Sequence, residues 1–112
     1  MEAKILRLTL NKKWFDMILS GEKKEEYREV KWYWIKRLTN QDADGNVKGK
    51  SFYKKFDFIE FVNGYNSNSQ RMVVEFKGIE IGKGKPELGS ENGIDYFVIS
   101  LGKITDTKNI KN

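Results

Sequence analysis

At 112 residues, with 21 Lys plus Arg against 16 Asp plus Glu, the chain is the size of one domain and carries a net charge of +5. That mild basic bias suits an anionic partner such as a nucleotide or nucleic acid, and equally suits plain solubility. The chain holds neither cysteine nor histidine, which excludes disulfides, zinc fingers, a thiol nucleophile and imidazole acid–base chemistry, so any catalysis falls to Lys, Glu, Asp, Tyr, Ser or Thr.

Lys4-Ile5-Leu6-Arg7-Leu8-Thr9-Leu10 is rich in aliphatics at alternate positions and predicts a strand. Asn11 then supplies a capping oxygen, and Trp14, Phe15, Ile18 and Leu19 recur at helical spacing up to Gly21, a left-handed stop. Lys23 to Val30 predicts a second strand, with Glu26, Arg28 and Val30 on one face and Glu25, Tyr27 and Glu29 on the other. Trp32-Tyr33-Trp34-Ile35 with Arg37 and Leu38 predicts a short helix whose aromatics pack on the core.

Residues 39–55 are dense in Asn, Asp and Gly and predict a flexible loop. Within it, Gly45-Asn46-Val47-Lys48-Gly49-Lys50-Ser51 is one residue short of a phosphate-binding loop. Asp42-Ala43-Asp44-Gly45-Asn46 lacks the glutamate that closes a calcium loop. Phe56 to Val62 alternates aromatic and polar residues as a half-buried strand does, and Asn63-Gly64 ends it. Arg71 to Ile81 predicts a long strand in which Gly78 marks a bulge, and Gly82-Lys83-Gly84-Lys85-Pro86 breaks it. Asp95 to Leu101 is the last predicted strand, and 106–112 reads as a frayed polar tail. The expected domain is therefore 1–105. No apolar run has the length of a secretory leader or a membrane span, so a cytoplasmic location without a membrane partner is the expectation.

The order β-α-β-α-β-β-β predicts an α+β fold: a small mixed β-barrel of about five strands with one or two short helices. Glu26 and Arg28, two apart on a strand, leave the same face. On a cleft wall Arg28 offers a planar fork to a phosphate, a carboxylate or a base edge, while Glu26 accepts from an amine or a hydroxyl or holds Arg28 in place. Lys23, at the turn after the helix, is a point charge, or a base if burial lowers its pKa. Asn63, Tyr65 and Arg71 flank one loop and supply an amide, an aromatic and a cation, a base-binding set. The same residues also read as a turn, loop packing and a strand-edge charge.

The segment from Gly21 to Arg28 resembles the signature G-x-K-x-x-E-x-R of the ASCH family, with Gly21, Lys23, Glu26 and Arg28 on its fixed positions. The context of strand, amphipathic helix and strand is similar, as is the final strand Tyr96-Phe97-Val98-Ile99-Ser100-Leu101, so the likeness spans most of the chain. The resemblance implies a PUA-like barrel with a cleft beside the motif and an RNA, nucleoside or nucleotide ligand. Some members hydrolyse N-acetylated cytidine with a lysine, a threonine and a glutamate. Lys23 stands at the lysine position, Glu26 at the threonine position, and Glu87 in the region of the family's acid. The expected ligand set is thus Gly21, Lys23, Glu26, Arg28, Asn63, Tyr65 and Arg71. The alternative is a small amidohydrolase built on Lys23, Glu26 and Glu87. Neither reading calls for a metal or a cofactor.

Overall fold

The structure, a computed structural model, describes residues 2–40, 52–64 and 68–110. In chain order these form β1 (Ile5–Leu10), α1 (Lys12–Leu19), β2 (Glu25–Glu29), α2 (Trp32–Leu38), β3 (Phe58–Asn63), β4 (Gln70–Lys83), a 3-10 turn (Pro86–Leu88) and β5 (Asp95–Lys108). The expected α+β class and the five strands are both present. The strands form one sheet in the order β1-β3-β4-β5-β2, parallel between β1 and β3 and antiparallel elsewhere.

Alternation explains the sheet's inner face. Leu6, Leu8 and Leu10 of β1 are buried with Ile59 and Phe61 of β3 and Met72 and Val74 of β4. Phe15 and Ile18 of α1, Leu38 of α2, and Phe97 and Ile99 of β5 complete the core. Each such side chain contributes roughly 1.5–3 kcal/mol by leaving water.

The helix signals act as expected. The Asn11 side chain accepts from the Trp14 backbone N–H at 3.2 Å. Gly21 takes φ +87°, and no atom crowds the position a Cβ would fill, so glycine is needed there for its backbone angle and not for space. Gly78, at φ +134°, sits at one of three register shifts in the β4–β5 ladder.

Two expectations change. Residues 106–108 are not frayed: Lys108, Thr107 and Asp106 pair with Arg71, Met72 and Val73, and Asn109 donates to the Ser69 carbonyl at 3.1 Å. The segment is polar on both faces, yet Ile104, Thr105 and Thr107 are β-branched and lie opposite the start of β4. Trp32 and Tyr33 do not pack on the core but stand 53% and 50% exposed, while Trp34 and Ile35 turn inward. The sheet is a half-barrel, compatible with a small PUA-like barrel, whose edges β1 and β2 share no ladder. They are joined instead by Arg28 of β2, which donates through Nη2 to the carbonyl of Thr9 on β1 at 3.1 Å. Residues 41–51, most of the expected loop, lie outside the described residues. Among the described residues no helix is long and apolar enough to cross a membrane.

Candidate functional site

The backbone after α1 fixes the first site residue. Ser20 and Gly21 close the helix, and the Lys23 N–H turns back to the Met17 carbonyl at 2.9 Å. This aims the Lys23 side chain inward, where it is 2% exposed. Its ammonium donates to the Leu88 carbonyl and lies 3.5 Å from Glu26 Oε1. It faces the Trp14 ring at 5.1 Å and the Tyr27 ring at 4.5 Å. Burial lowers the Lys23 pKa from its ordinary 10.5, and the charge and hydrogen bond of Glu26 oppose that shift.

Glu26 sits between two cations. It is 6% exposed, with Oε1 toward Lys23 and Oε2 accepting from Arg28 Nη2 at 2.7 Å. The Arg28 guanidinium also lies over the Trp34 ring, 4.9 Å from its centroid. Its Nε is buried with no hydrogen-bond partner. Two positive groups share one carboxylate, so the trio carries a surplus positive charge and an unmet donor. Buried groups in that condition favour an acceptor-bearing or anionic ligand.

Arg28 forms part of the wall of two clefts. The larger, about 680 Å³, is lined by the cations Arg7, Lys12 and Arg28, the aromatics Tyr33 and Trp34, and the amides Asn11 and Asn63, with no carboxylate among the described lining residues. The smaller, about 240 Å³, is bounded by Glu26, Tyr27, Arg28, Trp14, Leu88 and Gly89, among others. Its floor is tied down by Tyr27, whose hydroxyl donates to Glu25 Oε1 at 2.7 Å and accepts from the Lys85 N–H at 3.1 Å. Burial is the main cause that pushes the Tyr27 phenol up to about 12, so it stays a neutral donor across the physiological range. At Gly84 a Cβ would meet Ser90 at 2.6 Å and the Tyr27 ring at 2.9 Å, so only glycine lets this segment lie against β2.

The structure brings Lys23, Glu26 and Arg28 together, with Gly21 as the turn that delivers them. Asn63 reaches the larger cleft. Arg71 does not: it pairs with Glu60 at 3.2 Å, a carboxylate that also holds Arg7 at 2.6 Å. The register of β3 against β4 decides this, because it sets Arg71 opposite Val62, on the strand that also carries Glu60. Glu87 is exposed on the 3-10 turn and lines neither cleft. What that turn presents to Lys23 is the main-chain carbonyl of Leu88. Tyr65 lies outside the described residues. Sequence reasoning missed Arg7, Tyr33 and the Thr9 carbonyl. The outward parity of Arg7 between Leu6 and Leu8 was the available signal.

No family model, no curated protein and no solved structure matches the chain significantly. Among the described residues no group of three or more Asp or Glu is placed to hold a metal ion.

Proposed function

We propose that this chain is an ASCH-like RNA- or nucleotide-binding domain, with Arg28 of the Lys23, Glu26 and Arg28 trio reaching its ligand cleft and Glu26 and Lys23 packed behind it. The observation that carries the reading is the composition of the larger cleft: three cations for phosphate, two aromatics for stacking, two amides for base edges, and no carboxylate among its described lining residues. Half-exposed Tyr33 carries the Arg37 guanidinium over one face at 3.7 Å and has its other face for a base, and Arg28 offers a guanidinium fork held in place by Glu26 and Trp34. The test is binding of free nucleosides, nucleotides, short single-stranded RNA and a stem-loop at low and physiological salt. With about three phosphate contacts, log K for single strands falls with log salt at a slope of about −2. Absence of binding across the panel, or binding of uncharged nucleosides alone without salt dependence, overturns the reading.

A second reading rests on a different observation: a buried lysine of lowered pKa stands directly behind a carboxylate that lines the smaller cleft. In an amidohydrolase acting on an acylated nucleoside, Lys23 would act as base and Glu26 as its acidic partner. N-acetylated cytidine would then be turned over, and Lys23→Met would stop it. No turnover by the intact protein removes this reading and leaves the first untouched.

A further inference from the structure

We infer that the ligand is a single-stranded nucleic acid several nucleotides long, held at a second subsite at the far end of β1 from Arg28. This rests on the binding reading above. A separate cleft of about 440 Å³ is lined by Lys4, Asn40, Tyr53, Lys54, Lys55 and Phe56. It repeats most of the inventory of the first cleft: three cations, two aromatics and no carboxylate among the described lining residues, with one amide in place of two. Asp57 is adjacent, but its Oδ2 accepts from the Lys4 main-chain N–H at 2.8 Å.

The aromatic platform is fixed rather than loose. Tyr53 packs edge-on against Phe52 and Phe97, with centroids 4.7 and 6.5 Å away, and its hydroxyl accepts from the Ile81 N–H at 3.0 Å. Phe56 packs against Phe76 at 5.5 Å. The two clefts flank the same elements. Tyr33 and Trp34 near the start of α2 face the first, and Asn40, just beyond its end, faces the second. Lys4 lies immediately before β1, Arg7 in its middle and Lys12 just after it. At about 3.3 Å per residue, Lys4 is about 10 Å from Arg7 and about 20 Å from Leu10. A mononucleotide therefore fills one cleft, whereas a short strand reaches both with its backbone running past Arg7. Bases paired in a duplex are not free to enter two recessed aromatic clefts.

The experiment compares a series from UMP to an octauridylate, with oligo-dT in parallel to separate RNA from DNA. It uses the intact chain and the triple variant Lys4→Ala/Lys54→Ala/Lys55→Ala. The intact chain binds the octamer at least about tenfold more tightly than UMP, the equivalent of one added base stack. The triple variant keeps UMP affinity within about twofold, loses that gain, and shows a salt slope shallower by about 2, as loss of three phosphate contacts requires. A Lys→Arg version at the same three positions restores the octamer affinity, which separates lost charge from lost fold. Equal affinity for UMP and the octamer, or an octamer affinity unmoved in the triple variant, overturns the second subsite while the first cleft stands. Failure of both UMP and the octamer to bind overturns both.

Discussion

Glu26→Ala lowers the melting temperature by about 12–20 °C. The side chain sits between Lys23 and Arg28, and its loss leaves the ammonium of Lys23, a residue 2% exposed, without its ion-paired carboxylate. Breaking a buried pair from one side costs about 3–5 kcal/mol, and a domain of this size loses about 4 °C per kcal/mol. The effect depends on pH with a definite sign. The folded pKa of Lys23 lies below its ordinary 10.5 because of burial. The unfolded chain therefore holds that proton more tightly, and the stability this group confers is present above 10.5 and is lost as pH falls through the folded value. Without Glu26 only the charge of Glu25 opposes burial, the folded value drops further, and the affected window widens downward. The variant's deficit is accordingly large near neutral pH and shrinks toward 10.5. Adding Lys23→Met to Glu26→Ala removes the stranded charge and recovers at least about 1 kcal/mol, within the range of coupling measured for contacting residues. Melting curves between about pH 6 and 10 decide it. A single variant within about 3 °C of the parent would show that Glu26 does not neutralise Lys23.

Arg28→Lys weakens ligand binding by roughly 5–150-fold while retaining the charge. The guanidinium makes two contacts from one nitrogen, to Glu26 and to the Thr9 carbonyl, and lies over Trp34, 4.9 Å from its ring centroid. A lysine at this position keeps a point charge but not the fork or the stacking, and loss of a forked contact costs about 1–3 kcal/mol. Arg28→Ala goes further: it abolishes binding and also lowers stability, since the edges of the half-barrel lose the hydrogen bond that joins them. Binding measured well below each variant's melting temperature separates the two effects. An Arg28→Lys variant that binds as the parent does would place the recognition elsewhere in the cleft.

The helix stop at Gly21 and the alternation from Glu25 to Glu29 are local rules, and both were legible in the residues. So was the pairing of Glu26 with Arg28 on one face of a strand of period two, whereas Lys23 was grouped with them by the resemblance to the ASCH signature. What was not legible depended on partners distant in the chain. The strand character of residues 106–108 comes from pairing with β4, not from their own composition. The diversion of Arg71 to Glu60 follows from a register that no short window of sequence records. The half exposure of Trp32 and Tyr33 follows from which face of a seven-residue helix meets the sheet, and in a segment apolar on every side the helical period does not choose that face. Glu87 was placed by the resemblance, in the region of the family's acid, whereas its turn offers the site a carbonyl.

The strand order has a consequence for how the molecule is made. β4 and β5 are neighbours in the chain and can zip together as a hairpin, but β1 must find β3 across roughly 50 residues and β2 must find β5 across roughly 70. The two earliest strands are thus the last able to dock, and the seam between them is where Arg28 meets Thr9. Pulse-labelled hydrogen exchange during refolding should protect the β4–β5 amides before those of β1, and simultaneous protection would contradict this order. A nascent chain accordingly has no assembled binding surface until its final strand has left the ribosome.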